Sequence, residues 1–421
     1  MLFVANALPL NGGTTFLIRA CKELSTREER PDVLILFEPT DALLLKQLSQ
    51  YANIYFLKDY SKLVPDFLFN KQAGVFLFKN FSSLDFLLKK NKHIHTMGAF
   101  GLLFVSRWLR SRDDDHIVSV GIYHQNEFLY RGVNWYFSKS IQNVFVNISP
   151  AAIIFFNEHC KSSYDSFFNR DHFASKVLPI GIDLPRGYGS IHGSPDSYSL
   201  VSIGNLHGFK TYNRHIIECM PRLLKINPEI KYHIYGDGPC REELSTLVHK
   251  LDLDASVFFH GSIPYDKMPE ALNKSLAFIG SGTAIIEASA LGIPSIIGIE
   301  SGQESVTYGF FNDTIGFSYQ EIMPGKKEYF YLDLITQLVC DQRYWHQVAE
   351  KCMIKAADFS IARTIDGFVG LEKCKESYFT KANAYFFNNA LAFFSWLICG
   401  IFDAIGIDKT FSTRRNQGSI F

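Results

Sequence analysis

Short apolar runs alternate with segments of helical periodicity from the first residues of this chain. Residues 2–10 and 31–37 read as strands, and residues 14–24 between them repeat apolar positions three and four apart, as an amphipathic helix does. Strand, Gly12-Gly13 loop, helix and strand form one right-handed crossover unit, the opening of a doubly wound parallel sheet. Further strand-like runs follow at 54–57, 75–78, 117–123 and 152–156. The segment 177–183, Val-Leu-Pro-Ile-Gly-Ile-Asp, closes this half, and the stretch 185–197, dense in Gly, Ser and Pro, has the composition of a linker. A second alternating series runs from Ser199 to about Ile361, with strands near Leu200, Tyr232, Val257, Leu276 and Ser295. The pattern predicts an α/β protein with a Rossmann-like domain over 1–184, a second over 198–361, and C-terminal helices over 362–421. Those last helices are expected to cross back to the first domain and to associate with membrane.

Composition narrows the class. At 421 residues the chain exceeds what one hydrophobic core supports, which agrees with two domains. Apolar residues make up 47% and charged residues 20%, as in an ordered globular protein. Lys+Arg and Asp+Glu balance at 42 each, so no global field attracts nucleic acid, and no nucleic-acid partner is expected. The eight cysteines, among them Cys21, Cys160, Cys219 and Cys352, show no Cys-x-x-Cys spacing. That distribution fits reduced thiols in the cytoplasm and speaks against a zinc site or a disulfide framework. The triplet Asp113-Asp114-Asp115 points its carboxylates in different directions and reads as solvated loop, so no metal site is expected.

Aromatic content, at 15% with 38 Phe, is high. Residues 382–402 hold no charged side chain and include Phe386, Phe387, Phe393, Phe394, Trp396 and Phe402. The strongly apolar part is about 13 residues, short of the roughly 20 that span a bilayer. A helix in the membrane interface is the favoured reading, with Lys409, Arg414 and Arg415 toward anionic head groups; a buried terminal helix is the alternative. Residues 97–109, with Phe100, Leu102, Leu103, Phe104 and Trp108, are offered as a second membrane-edge segment or else a core helix.

Three glycine-containing signatures stand in order in the second half. They are Ile203-Gly204-Asn205-Leu206-His207-Gly208-Phe209-Lys210, then Tyr235-Gly236-Asp237-Gly238-Pro239, then Gly280-Ser281-Gly282-Thr283 leading into Glu287-Ala288-Ser289-Ala290-Leu291-Gly292-Ile293-Pro294. Each follows an apolar run and precedes a helical segment, as loops do where a nucleotide lies at the carboxyl ends of parallel strands. Within them stand a cation, Lys210, and a carboxylate, Glu287, while Gly282 with Thr283 offers backbone N–H groups and a hydroxyl at a helix start. Gly12 and Gly13 let backbone approach an anion at the start of the first helix.

Together these motifs resemble the family-4 glycosyltransferases, retaining enzymes of GT-B fold whose two Rossmann-like domains face each other across a cleft. The resemblance rests on Gly12-Gly13, on 178–183, and on all three signatures. It implies transfer of a sugar from a nucleoside diphosphate sugar, with no metal or other cofactor required. Lys210 then matches the family's diphosphate-binding Lys, and Glu287 its ribose-binding Glu. The preceding family Arg is replaced by Asn205, with Arg214 as a substitute cation, and the first acid of the family's Glu, seven residues, Glu is replaced by Ile279. Gly236 is expected beside the base, with Arg241 a weaker candidate there. His124, after the strand 117–123, matches a histidine that contacts the transferred sugar or the acceptor hydroxyl. The implied partner is a glycan or lipid-linked glycan, in lipopolysaccharide or capsule assembly at the inner face of the plasma membrane. A sugar-nucleotide 2-epimerase of the same fold and a non-catalytic glycan- or lipid-binding scaffold are the rival readings.

Overall fold

The computed structural model describes residues 1–9, 11–27, 29–62, 64–110, 116–130, 134–185, 188–189, 195, 197–272, 275–371 and 387–407. Asp113 to Asp115, most of the 185–197 stretch, residues 382–386, Lys409, Arg414 and Arg415 lie outside them. The chain divides into two compact units. One comprises Met1–Gly181 together with the described residues from Ile361 onward; the other is Ile182–Ser360.

The first unit is built on a seven-stranded parallel sheet: β1 (Leu2–Ala5), β2 (Asp32–Ile35), β3 (Asn53–Phe56), β4 (His93–Met97), β5 (Ile117–Ile122), β6 (Ile153–Phe155) and β7 (Lys176–Val177). Its spatial order is β3-β2-β1-β4-β5-β6-β7, so the direction of winding reverses between β1 and β4. All four β1 residues are buried, as a central parallel strand covered on both faces requires. The helix Gly12–Thr26 is capped by Asn11, whose Oδ1 accepts the Thr14 N–H at 3.0 Å. Its Phe16, Leu17, Ala20, Cys21 and Leu24 form the buried stripe.

After Ser360 the chain returns to this unit. The helix Ile361–Val369 buries Ile361, Thr364, Ile365 and Phe368, and the Thr364 hydroxyl donates to the Pro179 carbonyl at 2.9 Å. Gly181 is the crossing point: a Cβ there would fall 2.6 Å from the Ile361 Cα. A last helix, Asn389–Ala404, packs on the helices Tyr136–Val146 and Ala73–Leu77.

One expectation is corrected here, and one left open is decided. The run 75–78 is not a strand but part of the helix Ala73–Leu77. Its length, five residues, gives periodicity too little to work on. Buried Arg107 fixes its end by donating to the carbonyls of Val75 and Phe78. Residues 97–109 take the core-helix reading rather than the membrane-edge one: the helix Ala99–Leu109 is buried from Ala99 through Trp108 and forms part of the core.

The second unit carries a five-stranded parallel sheet: β8 (Ser199–Ile203), β9 (Lys231–Tyr235), β10 (Val257–Gly261), β11 (Ala277–Gly280) and β12 (Ser295–Ile297). The order β10-β9-β8-β11-β12 again reverses after the first strand, between β8 and β11. The first and third glycine signatures leave those two adjacent strands. Sequence-distant loops therefore meet at one topological switch point, where open α/β sheets hold ligands.

Candidate functional site

Gly204 ends β8 with φ +149°, a backbone conformation that side chains rarely adopt. A Cβ at Gly204 would lie 2.6 Å from Lys210 Nζ, so the Lys210 ammonium rests over the bare backbone at the strand's end. Asn205 and His207 beside it are exposed, and the His207 ring stacks on Phe209 at a centroid distance of 5.6 Å. Gly236, with φ +143°, is demanded by the chain itself: a Cβ there would fall 2.0 Å from the Gly204 carbonyl oxygen. The loops after β8 and β9 are bound together through Gly204 N–H to Tyr235 O at 2.9 Å and Leu206 N–H to Asp237 O at 2.9 Å.

From β11 the chain passes through Ser281 into the helix Gly282–Ala290, whose first residue has φ +65°. The Gly282 N–H is taken by Gln320 Oε1, and the Gly282 carbonyl accepts the Tyr319 hydroxyl at 2.9 Å. Thr283, the next residue, is half-buried. Glu287 sits on the second turn, 8% exposed, and its Oε1 accepts the Tyr265 hydroxyl at 3.0 Å.

A second carboxylate joins this group. Glu300, two residues beyond Gly298 after β12, accepts the Ser281 hydroxyl at 2.7 Å. Burial pushes its carboxyl above the usual range, against the opposing pull of the Ser281 hydroxyl and the Lys210 charge. Glu321 is buried as well and pushed up to about 7, first by desolvation and further by the Glu300 charge, while backbone donors, including the Tyr319 N–H at 3.2 Å, pull the other way. Beneath the loops, buried Ser202 donates to the Ile279 carbonyl at 2.6 Å and buried Tyr232 donates to Asn213 Oδ1 at 3.0 Å, which ties β8, β9 and β11 to the helix Tyr212–Ile226.

The structure thus brings Gly204, Lys210, Gly282 and the Glu287 helix to one end of one sheet. Arg214 has other partners: its guanidinium pairs with Glu218 at 3.0 Å and Glu243 at 3.4 Å on the exposed helix surface. Arg241 pairs with Asp237 at 3.5 Å. Ile279 is fully buried within β11, so its side chain belongs to the core. Tyr265, Glu300, Tyr319, Gln320 and Glu321 were not among the sequence candidates. Tyr265 opens a short 3-10 turn and the others lie in loops without periodicity, and only the pairing of β11 with β12 makes Glu300 a neighbour of Ser281.

In the first unit, Gly12 and Gly13 open the helix that leaves β1, at that sheet's own switch point. Neither has positive φ, nothing lies within 4 Å of a Cβ built at Gly12, and at Gly13 the nearest atom is Asn11 Oδ1 at 3.4 Å. His124 is exposed just past β5, and its Nδ1 accepts the Asn126 N–H at 3.2 Å. In that bond Nδ1 is the acceptor. Glu127, three residues on, accepts the Ala99 N–H at 2.7 Å and places a carboxylate at the start of the helix Ala99–Leu109.

Among the described residues no three His, Cys, Asp or Glu side chains group as metal ligands, and no helix is long and apolar enough to cross a membrane. Comparison with curated protein sequences finds no match. Solved structures do resemble the chain. A variant of S. aureus TarM in complex with fondaparinux, α-GlcNAc-glycerol and UDP is 12% identical, with 89% of this chain and 99% of that one covered at a TM-score of 0.58. Anabaena HepE in complex with UDP and glucose is 14% identical, covering 88% and 98%, TM-score 0.59. The lipopolysaccharide outer core galactosyltransferase WaaB in its apo form is 13% identical, covering 89% and 99%, TM-score 0.59. At these identities the likeness is one of fold, and the two Rossmann-like units are of GT-B type. Residues 191–312, which hold all three glycine signatures, match the family model described as glycosyl transferases group 1.

Proposed function

We propose that this chain is a glycosyltransferase that moves a hexose-like unit from a nucleoside diphosphate sugar to a growing glycan, free or lipid-linked, of a surface polysaccharide, with retention at the anomeric carbon. The observation that carries the reading is the convergence of Lys210 and Glu287 at the switch point of the second sheet, inside the segment that matches glycosyl transferases group 1. The cysteines found free among the described residues agree with a cytoplasmic setting.

Chemically, the bond from the anomeric carbon to the diphosphate oxygen breaks while the acceptor oxygen bonds to that carbon. Negative charge grows on the departing diphosphate, and the Lys210 ammonium, aided by the Asn205 amide, stabilises it where it develops. The Glu287 carboxylate accepts the ribose hydroxyls and fixes the donor's register. His124 presents its ring toward a sugar or acceptor hydroxyl, and the acceptor proton leaves with the phosphate. Gly12 and Gly13 supply helix-start N–H groups to an anion. The Gly282-Thr283 helix start offers the Thr283 hydroxyl, since the Gly282 N–H is engaged.

The test is saturation-transfer NMR of the purified chain against UDP, GDP, ADP and dTDP sugars, with Glu287→Ala as control. UDP sugars come first, because the TarM and HepE structures contain UDP. Binding of one donor that the variant abolishes, followed by release of free nucleoside diphosphate in the presence of acceptor, supports transfer. Interconversion of the sugar with the diphosphate still attached identifies an epimerase. A folded protein that binds none of the donors removes the reading.

A further inference from the structure

The helix Asn389–Ala404 divides cleanly into two faces. Ala392, Trp396 and Cys399 are buried against the first unit, with the Trp396 ring 6.1 Å from Phe76. The Ser395 hydroxyl accepts the Phe137 N–H at 3.3 Å, Trp135 meets Phe402 edge-on at 5.6 Å, and the Tyr136 hydroxyl accepts the Asn388 N–H at 3.0 Å. At 100° per residue the opposite face, an arc of roughly 120°, carries Leu391, Phe394, Leu397, Ile398 and Ile401. These are 54%, 56%, 39%, 42% and 50% exposed; Ile405 at the helix end continues the arc at 61%, and Ile407, past Gly406, is 69% exposed.

An apolar ridge held out on a packed helix needs an occupant. Seven such side chains, each about half exposed, present on the order of 600 Å² of apolar surface, at the top of the range for a monomer's largest patch. That falls short of the ~800 Å² per partner that a stable protein interface takes. The helix has 16 residues, so it is about 24 Å long, less than the ~30 Å hydrocarbon core, and one face is fixed to protein. It can therefore lie along a bilayer but not cross one. From Asn389 to Phe402 it has no Asp, Glu, Lys, Arg or His, and residues 408–421 carry Lys409, Arg414 and Arg415 against the single acid Asp408. Cations in the chain that follows an apolar ridge complement anionic head groups.

We infer that the 391–407 ridge docks the protein on an anionic lipid surface, with Leu391, Phe394, Ile398 and Ile401 inserted at the head-group boundary. The inference does not depend on the sugar-transfer reading.

Flotation of the full chain with vesicles of phosphatidylcholine alone, and of phosphatidylcholine with phosphatidylglycerol, tests it. Wild type is expected to float with the anionic vesicles, and Phe394→Glu with Ile401→Glu to lower the partition coefficient at least about tenfold. Both positions are exposed, so thermal melting of the double variant should match wild type. If it does not, Phe394→Gln with Ile401→Gln replaces it. The inference is overturned if wild type stays with neither vesicle, if a folded double variant floats as well as wild type, or if sedimentation shows a dimer that the same substitutions dissolve.

Discussion

The Tyr265 hydroxyl donates to Glu287 Oε1 at 3.0 Å, linking a half-exposed ring to a carboxylate that is 8% exposed. If Glu287 receives ligand hydroxyls as proposed, the Tyr265 donor fixes the orientation of its carboxylate. A hydrogen bond to a charged group contributes about 1.5 kcal/mol or more, close to tenfold in affinity. Tyr265→Phe is therefore expected to weaken donor binding by a few-fold to about tenfold, with unchanged melting, as read by calorimetry. Tighter binding would mean that Tyr265 competes with the ligand for Oε1.

Gly204 and Gly236 look alike in the sequence, yet the structure predicts opposite failures for them. At Gly204 a Cβ meets the movable end of Lys210, while at Gly236 it meets the Gly204 backbone oxygen at 2.0 Å. Gly204→Ala should fold with a strain of roughly 1–2 kcal/mol and lose donor binding as the ammonium is pushed aside. Gly236→Ala should lose stability first. Lys210→Ala should melt like wild type while kcat falls about 100-fold or more, the scale of removing one charge-stabilising donor. A Lys210→Ala enzyme with full turnover would remove Lys210 from the diphosphate.

What the sequence made legible follows from what each segment asks of its residues. β8 and β11 were readable because central parallel strands are short apolar runs followed by glycine loops. β4 was not, since it reads His93-Ile94-His95-Thr96-Met97 and its histidines are buried by pairing rather than by apolarity. His93 and His95 both meet the Ser119 hydroxyl, at 2.8 and 2.9 Å, and His95 also meets the Tyr123 hydroxyl at 2.8 Å. In the site, Lys210 and Glu287 were singled out by the family resemblance, which matches them to a diphosphate-binding Lys and a ribose-binding Glu. Glu300 and Glu321 were not, because their meaning arises from burial against each other and from the β11–β12 pairing.

Glu321 gives the fold a pH dependence of definite sign. Its carboxyl is raised from 4.5 to about 7, so the folded state holds a proton that the unfolded state releases. Stability from this group is fully present below about pH 4.5, declines as pH rises toward 7, and is gone above it, a change of at most about 3 kcal/mol. Glu321→Gln keeps an acceptor for the Tyr319 N–H but carries no charge. The melting temperature of wild type should fall between roughly pH 5 and pH 8, and the variant's curve should be flatter over the same interval. Parallel curves would show that Glu321 does not titrate in that window.

Gly12 and Gly13 give the sharpest separation of folding from function. Both are the first residues of a capped helix, neither needs positive φ, and added Cβ atoms would meet open space or, at Gly13, Asn11 Oδ1 at an ordinary 3.4 Å. Nothing among the described residues asks for glycine here. Alanine at either position should leave the fold intact and stabilise it by a few tenths of a kcal/mol up to about 1, because a helix start gains from reduced unfolded-state freedom. If the bare backbone is kept for an anion at the β1 switch point, the same Gly12→Ala and Gly13→Ala enzymes should lose transfer activity by about tenfold or more while melting at or above the wild-type temperature. Stability and activity would then move in opposite directions, a pairing that a purely structural turn does not produce. Variants that melt higher and transfer sugar at the wild-type rate would release Gly12 and Gly13 from the ligand.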